Sequence, residues 1–366
     1  MLKNIIIISL LLITTAAADQ AADKAEFKRL YAEFSELYAN SEELDPIIEV
    51  AEQVYNLAQN IYGKSSQNTA VVLYNLASLY DEKGSNQLND AEIKAVELYK
   101  VYFKILDKLK TPKDETYLDQ YFSFVIAENN ALGIKSKKLY ANRAMKIAQE
   151  VNLPPLKLAN IEHTIAIINV NKGSIKKAKT FFNQSKENYS KAEGVDHIGV
   201  GKNLFWLAKI DVGNDQDDDA TEKFLKSIEI FDKNGFKGND LALISHANLV
   251  QIYEKSGQSD KATKHCIAAS VERPVDVNRY FIPLYRAQPK YPRGALNSSK
   301  EGYVVLEFIV DESGFTKDVK VIESSSKVFE KGSLAAARKY RYAPTVRDGK
   351  LIATTGVRVR VEYKVI

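Results

Sequence analysis

The residue types that most often catalyse reactions or bind metals are few in this chain and follow no recognisable spacing. It has one cysteine, Cys266, and four histidines, His163, His197, His246 and His265. No HxxxH pair or CxxC motif is present, and we find no carboxylate pair, nucleophile motif or phosphate-binding loop. We therefore expect no enzyme, no catalytic residue, no metal site and no cofactor. Cys266 is expected to fill a small apolar position in a core.

The last residues indicate a different chemistry, the main-chain hydrogen bonding of a β-strand. From residue 356 to 366 apolar and charged residues alternate strictly, with Val357, Val359 and Val361 on one side and Arg358 and Arg360 on the other. An open edge of such a strand can accept an extended peptide by strand addition. Charged alternation is equally a way to protect an edge strand against aggregation. The pattern alone leaves both interpretations open.

The residues before that strand predict the elements that would position it. Alternation in "GYVVLEFIVDESGF" predicts a strand followed by a hairpin turn over residues 311–314, with Gly314 at positive φ. A second strand is predicted over residues 316–323, and Ser326 fits the N-cap of a helix that runs to about Tyr342. One stripe of this helix would cover a sheet face, and it consists of Phe329, Ser333, Ala336, Ala337 and Tyr340. We expect a small α+β domain with a three-stranded antiparallel sheet.

Residues 22–272 have apolar residues at helical spacing and almost no strand pattern. Three stretches within this region repeat every 42 residues, with Ala166, Ala208 and Val250 in register. A turn residue, a small residue, a larger core residue and a second small residue follow in the same register: Gly173, Asp215 and Gly257; Ala178, Ala220 and Ala262; Phe182, Phe224 and Cys266; Ser185, Ser227 and Ala269. Small residues suit close helix crossings and Gly or Asp suits a turn, so the pattern predicts helix–turn–helix repeats.

This pattern resembles tetratricopeptide (TPR) repeats in a longer-period form. An earlier copy is visible in "YNLASLYDEKG", which contains Ala77 and Gly84, and a further helix pair is predicted over residues 117–131 and 136–150 around Gly133. With a leading helix marked by Ala51, Tyr55 and Ala58, we expect four to six helix pairs. The resemblance implies an all-α solenoid whose concave groove binds a peptide or a protein. A spacer or an oligomerisation scaffold is the alternative.

Length and charge support a multidomain protein with a basic C-terminal end. The 366 residues suffice for two or three domains. Pro274, Pro283, Pro289 and Pro292 mark a boundary, and we call residues 280–366 the C-terminal module. It contains 16 Lys and Arg against 9 Asp and Glu, while the whole chain has a formal net charge of +4. Without dense Lys/Arg runs, this balance favours an anionic lipid or an acidic protein partner over nucleic acid, which we do not expect to bind.

The first residues have the composition of an export signal. Lys3 is followed by an apolar run over residues 5–13 and by the small residues Ala16, Ala17 and Ala18. We expect a signal peptide over residues 1–18 with cleavage after Ala18. A helix over residues 5–18 would be about 21 Å long, which is short of a bilayer core of roughly 30 Å. Retention as a membrane anchor is the alternative.

Three segments of the C-terminal module resemble the C-terminal domain of TonB proteins. They are "RAQPKYPRGAL", "GYVVLEFIVDESG" and "FEKGSLAAARKYRYAP", and they occur in the order and spacing of that family. The most specific residues are Gln288, Pro289, Tyr291 and Pro292, then Gly302 and Gly314, then Arg341, Tyr342 and Pro344. No long Pro/Lys-rich spacer of the kind found in TonB proteins occurs. The resemblance covers about a quarter of the chain.

In that family the segment leading into the Gln-Pro-x-Tyr-Pro motif and the sheet edge meet the TonB box, a short segment near the N-terminus of TonB-dependent transporters. The resemblance therefore implies partner-binding residues in this chain. They are Arg286, Ala287, Gln288, Pro289, Arg358 and Arg360. Pro292, Gly302, Tyr342 and Pro344 have structural explanations, as a helix start, a strand entry and a helix end. For Arg358 and Arg360 a solvated strand face is an equally good interpretation.

The hypothesis that follows is a periplasmic TonB-family protein that supports transmembrane transport. Its C-terminal module would bind a TonB-dependent outer-membrane transporter or another TonB-system protein, while its repeats dock onto a second component. One alternative is a membrane-retained energy transducer, although the apolar run contains no histidine of the kind that such an anchor typically carries. The other alternative is a periplasmic envelope scaffold without a role in uptake.

Overall fold

The structure is a computed structural model that describes residues 18–86, 90–135, 138–272 and 283–365. The predicted signal peptide, except for Ala18, and the proline Pro274 lie outside the described residues. Among the helices that are described, none is long and apolar enough to cross a membrane. The chain divides between Phe181 and Phe182 into two compact units.

The first unit is helical, as the apolar spacing predicts. Its helices are α1 (Ala18–Asn40), α2 (Leu44–Tyr62), α3 (Gln67–Asn86), α4 (Asp90–Lys108), α5 (Glu115–Leu132), α6 (Lys138–Glu150) and α7 (Pro155–Asn171). Aromatic residues fill much of its core, and the ring of Phe103 lies 4.9 Å from the rings of both Tyr102 and Tyr121. Gly133 ends α5 at a positive φ of 50°, between the two helices predicted around it.

The second unit contains further helices and then the C-terminal module. Helix α8 (Ile175–Glu193) spans the boundary between the units, and α9 (Ile198–Gly213), α10 (Asp217–Lys233), α11 (Asp240–Lys255) and α12 (Ser259–Glu272) follow. Within the described residues twelve helices therefore precede the module, enough for six pairs, the upper end of the predicted number. They form the TPR-like repeat region that the sequence predicts. The sequence also places Cys266 in a core, and its side chain is fully buried with Phe224 and Leu249.

The 42-residue register is reproduced in the helix ends. Helices α7, α9 and α11 end at Asn171, Gly213 and Lys255, and the following helices begin at Ile175, Asp217 and Ser259. In each turn the aligned residue has a positive φ, 66° at Gly173, 56° at Asp215 and 75° at Gly257. The aligned residues Ala178, Ala220 and Ala262 are fully buried. Each predicted packing role is thus observed at these positions.

Gly84 departs from this register. In the aligned copies the equivalent residue forms the turn, but Gly84 lies inside α3, which continues to Asn86. A Cβ at Gly84 would lie 2.8 Å from the backbone nitrogen of Glu92, in α4. The glycine therefore permits a close crossing of α3 and α4, and the turn implied for it by the repeat alignment is wrong.

The C-terminal module contains the predicted three-stranded antiparallel sheet. Its strands are β1 (Gly302–Val310), β2 (Thr316–Ser324) and β5 (Thr354–Tyr363), in the order β2-β1-β5. Val304, Leu306, Phe308 and Val310 are buried on one face of β1, in one core with four residues of the predicted helical stripe, Phe329, Ala336, Ala337 and Tyr340. The fifth, Ser333, is also buried. Gly314 has the expected positive φ, 80°, in the hairpin turn.

The helix of the module is shorter than predicted. A 3₁₀ turn (Lys327–Phe329) precedes α14 (Glu330–Ala337), which ends five residues before Tyr342. The Ser326 side chain makes no capping hydrogen bond, and its hydroxyl accepts one from Lys300 Nζ at 2.9 Å. The Ala337 carbonyl accepts a hydrogen bond from Thr316 Oγ1 at 2.7 Å, and Arg341 then forms β-bridges with Tyr285 and Phe315. These extended contacts end the helix, so Tyr342 and Pro344 are not its terminators.

Two short elements complete the module, and of these only the helix start at Pro292 was predicted. Helix α13 (Arg293–Asn297) begins after Pro292, and the ribbon β3 (Thr345–Arg347) and β4 (Lys350–Ile352) precedes the last strand. Asp348 and Gly349, at the ribbon turn, have φ values of 51° and 71°. Positive φ at both central residues is the type I′ turn that an Asp-Gly pair favours. The signal for this ribbon is therefore present in the sequence, in "RDGK".

Candidate functional site

The segment that carries the predicted Gln-Pro-x-Tyr-Pro motif is extended and is held on two sides. Leu284 N donates to the Arg341 carbonyl at 2.8 Å, and Arg341 N donates to the Tyr285 carbonyl at 3.0 Å. Further along, the Lys290 main chain passes close to α14, where a Cβ at Gly332 would lie 2.8 Å from the Lys290 carbonyl oxygen. We call residues 283–292 the motif segment.

Aromatic residues fix the end of the motif segment. Tyr291 meets the rings of Phe329 and Tyr363 edge-on, at 6.0 and 5.3 Å, and its hydroxyl donates to the Lys300 carbonyl at 2.8 Å. Gly302 begins β1 where a Cβ would lie 2.6 Å from the Phe329 ring. These contacts agree with the predicted structural role of Gly302 and give Tyr291 a structural role as well.

Among the described residues, no strand pairs with β5 on the side away from β1, so this edge of the sheet is open. Ser325 N donates to the Tyr303 carbonyl, so the main-chain groups of Tyr303 face β2. Because main-chain directions alternate along a strand, Val304 and Leu306 face β5, and their partners Val361 and Val359 complete the ladder. The N–H and C=O groups of Arg358, Arg360 and Glu362 therefore point outward from the sheet.

Arg286 brings the motif segment to this edge. Its Nη2 donates to the outward-facing Arg360 carbonyl at 3.0 Å, and its guanidinium lies 5.8 Å from the centre of the Tyr340 ring. Ala287 is half-buried against the module core, Gln288 is exposed and Pro289 is half-buried. The structure thus brings Arg286 and Arg360 together, while Ala287 and Gln288 face a cleft beside α14.

The side chains of Arg358 and Arg360 lie on the outer face of the sheet, opposite α14. Glu307 accepts hydrogen bonds at 2.8 Å from Arg358 Nε and from Lys320 Nζ, and these two cations lower the pKa of the Glu307 carboxyl. The Arg360 guanidinium lies 3.5 Å from the centre of the Tyr303 ring. Both arginines therefore have cross-strand partners, and what the β5 edge exposes is its main chain.

The cleft beside α14 has a volume of about 540 Å³. The motif segment forms one wall and α14 with its flanking residues forms the other; the lining is Tyr285, Ala287, Gln288, Lys290, Tyr291, Pro292, Val328, Lys331, Gly332, Ala335, Ala336 and Lys339. Its floor is largely apolar and the charged residues of its lining are all lysines. We call this the motif cleft.

Arg341 is the main residue whose role the sequence did not predict. Its side chain is only 1% exposed, and it forms an ion pair with Glu254 in α11, donates to Thr263 Oγ1 in α12 at 2.7 Å, and donates to the Ser313 carbonyl at 3.1 Å. The Phe315 ring centre lies 3.6 Å from the guanidinium. Arg341 therefore fastens the C-terminal module to the last helix pair, through a partner 87 positions away that no local pattern could identify.

Two histidines also lie in contact, although their spacing in the sequence did not predict it. His246 in α11 and His265 in α12 place their Nδ1 atoms 2.8 Å apart, and Glu272 lies 3.4 Å from His246 Nε2. In the part of the chain that the structure describes, no group of three or more His, Cys, Asp or Glu residues is arranged to hold a metal ion. Burial raises the pKa of the Cys266 thiol to about 12.

Comparison with known proteins identifies the module. The family described as "Gram-negative bacterial TonB protein C-terminal" matches residues 287–365. Residues 287–365 are a TonB C-terminal domain. We call the C-terminal module the TonB domain from here on. The match concerns this domain only, and the repeats before it have separate likenesses.

Similar proteins cover the two parts of the chain separately. Protein TonB of Pseudomonas aeruginosa is 36% identical over 72 residues, which are 19% of this chain and 21% of that protein. The chain thus spans about a fifth of the length of this curated relative. The solved TonB2 protein of Vibrio anguillarum is 36% identical over 25% of this chain and 88% of its own, with a TM-score of 0.20. The solved C-terminal part of a TPR repeat-containing protein of Cytophaga hutchinsonii is 16% identical over 70% of this chain and 96% of the solved part, with a TM-score of 0.44.

Proposed function

We propose that this protein is an exported, periplasmic TonB-family protein that binds partners and supports transport across the outer membrane. Its TonB domain adds the TonB box of a TonB-dependent transporter, or an extended segment of another TonB-system protein, as a strand on the free edge of β5. Its helical repeats bind a second component of the same system. The observation that supports strand addition is the outward main chain of Arg358, Arg360 and Glu362, beside the motif segment.

The residues predicted to bind the partner would act together at this edge. An added strand would hydrogen-bond to the outward N–H and C=O groups of β5, at about 1 kcal/mol net for each bond. Arg286 would exchange its bond to the Arg360 carbonyl for one to the added strand. Gln288, exposed on the motif segment, would contribute an amide contact, and Ala287 and Pro289 would hold the segment in place.

A proline at Arg358 tests strand addition. The N–H of Arg358 lies outside the ladder, so proline removes an edge donor without removing a bond between β5 and β1. We expect Arg358→Pro in the full chain to weaken binding of a fluorescent TonB-box peptide by about tenfold or more, and Arg358→Ala to weaken it only a few-fold. Fluorescence anisotropy measures both, with circular dichroism to verify folding. Equal binding by the two variants would exclude strand addition on β5.

The proposed export can be tested by mass spectrometry. The proposal is supported by the charged residue, the apolar run and the small residues of the first 18 positions. We expect the intact mass of the protein isolated from cells to correspond to a chain that begins at Asp19. A mass that includes Met1 would favour the membrane-retained transducer instead.

A further inference from the structure

A second cleft continues from the motif cleft toward the helical repeats. It also has a volume of about 540 Å³, and it lies between the last helix pair and the TonB domain. Tyr285 and Lys339 line both clefts. The two clefts are therefore adjacent, and we call them together the basic groove. It lies beside α14 and not on the outer face of the sheet.

The charges of the groove are almost all positive. Lys290, Lys331 and Lys339 line the motif cleft, and Arg338 and Lys339 line the second cleft. Across the described ranges, no carboxylate lies within ion-pair distance of these four side chains. Glu254, which also lines the second cleft, is already paired with Arg341. Four cations in one depression without carboxylate partners leave a site for an anionic ligand.

The floor of the groove is apolar at one end. Val328 is 41% exposed, and Ala335 and Gly332 continue the surface that it begins. This floor can accept an aliphatic side chain, whereas the lysines around it require carboxylates. Two adjacent clefts suit an extended chain better than a single small anion, because a small anion would occupy only one of them.

We propose that the basic groove binds an extended acidic segment of a partner protein. The segment places an aliphatic side chain on the Val328 and Ala335 surface, and its carboxylates contact Lys331, Lys339 and Arg338. This contact differs from strand addition, which uses the β5 edge, although Ala287 and Gln288 of the motif segment also line the groove. One partner can thus be held at the sheet edge and at the groove, or two partners can be held at once.

Two synthetic peptides of ten residues test the charge requirement. One alternates leucine with aspartate and glutamate, and the other replaces each acid by its amide. We expect the acidic peptide to bind the full chain at least about tenfold more tightly than its amide counterpart in low-salt fluorescence anisotropy, and to weaken as salt rises. Equal binding of the two peptides, or no binding of the acidic peptide, would overturn the proposal.

Charge reversals locate the site. The double variant Lys331→Glu/Lys339→Glu changes two exposed groove lysines, and Lys327→Glu/Lys350→Glu makes the same charge change at exposed TonB-domain lysines that do not line the groove. We expect the first to weaken acidic-peptide binding by about tenfold or more and the control by less than about twofold. Equal effects of the two would indicate non-specific attraction and contradict the proposal.

The edge variant separates this inference from the proposed function. Arg358→Pro should leave acidic-peptide binding unchanged, and Lys331→Glu/Lys339→Glu should leave TonB-box binding unchanged. Loss of acidic-peptide binding in a folded Arg358→Pro protein would move the acidic segment to the sheet edge. Binding of anionic phospholipid vesicles in preference to the acidic peptide would assign the groove to a membrane surface. Either result would refute the proposal.

Discussion

The pair His246 and His265 shows how single residues respond to burial in the last helix pair. Burial lowers the pKa of both imidazoles, and the pKa of His265 falls to about 4, with additional effects of the neighbouring His246 and Lys264. Glu272 acts in the opposite direction on His246 but does not overcome burial. Both rings are therefore neutral in the folded protein near pH 7, and one of the two facing Nδ1 atoms donates to the other.

This pair predicts a loss of stability at mildly acidic pH. An unfolded histidine has a pKa of about 6.5, so the unfolded chain binds more protons than the folded one between pH 6.5 and about 4, and stability falls as the pH falls through that range. We expect a loss of about 1 to 2 kcal/mol between pH 7.5 and 5 beyond that of the variant His246→Gln/His265→Gln, measured by urea denaturation. The same pH dependence of stability in the wild type and in the double variant would contradict this assignment.

At the scale of elements, the motif segment and α14 meet at a glycine. A Cβ at Gly332 would lie 2.8 Å from the Lys290 carbonyl and 3.0 Å from the Tyr363 hydroxyl. We expect Gly332→Ala to lower the free energy of unfolding by about 1 to 3 kcal/mol through this overpacking, and to weaken acidic-peptide binding because the groove wall shifts. Urea denaturation and anisotropy measure the two effects.

The control for that substitution lies nearby. A Cβ added at Gly294 in α13 would have no neighbouring atom within 4 Å, and this glycine has no positive φ, so Gly294→Ala should be neutral or slightly stabilising. If Gly332→Ala behaves like Gly294→Ala, the motif segment does not press against α14.

Repeated elements were the most predictable part of the fold. The alignment of Ala166, Ala208 and Val250 anticipates turns and helix ends because each repeat solves the same local packing problem. The repeat alignment failed at Gly84, because this small residue permits a close helix crossing and does not form a turn. The helix of the TonB domain was predicted too long because its end depends on the bridge between Arg341 and Tyr285, two residues far apart in sequence.

The arrangement of the proposed binding residues was only partly predictable for the same reason. The alternation in the last strand correctly identified its two faces, and strand order then decided which main-chain groups remain free. The basic groove depends on how the motif segment, α14 and the last helix pair come together. The spacing of Lys290, Lys331 and Lys339 in the sequence does not predict this groove.

At the scale of the molecule, the TonB domain is integrated with the last helices of its own compact unit. Besides the contacts of Arg341, Ser270 in α12 donates a hydrogen bond to the Pro344 carbonyl at 2.5 Å. Gly314 has no room for a side chain between Cys266 and Tyr342. These contacts join residues 341–344 and the hairpin turn of the TonB domain to α11 and α12. For the same reason the peptide experiments require the full chain, since an isolated TonB domain would lose the partner of Arg341.

Removing Glu254 tests this integration. Glu254→Ala leaves the Arg341 charge buried and unpaired, and we expect a loss of about 3 kcal/mol in the free energy of unfolding. Amide hydrogen exchange should quicken together in α12, near Thr263, and in the hairpin turn, near Ser313, because both contact the same guanidinium.

Glu312→Ala, at an exposed carboxylate of that turn, is the matched control and should change neither the free energy of unfolding nor the exchange rates. Replacing the pair with Glu254→Ala/Arg341→Met should recover part of the stability, since it removes the unpaired charge. Faster exchange in only one of the two elements would mean that the TonB domain and the repeats open independently.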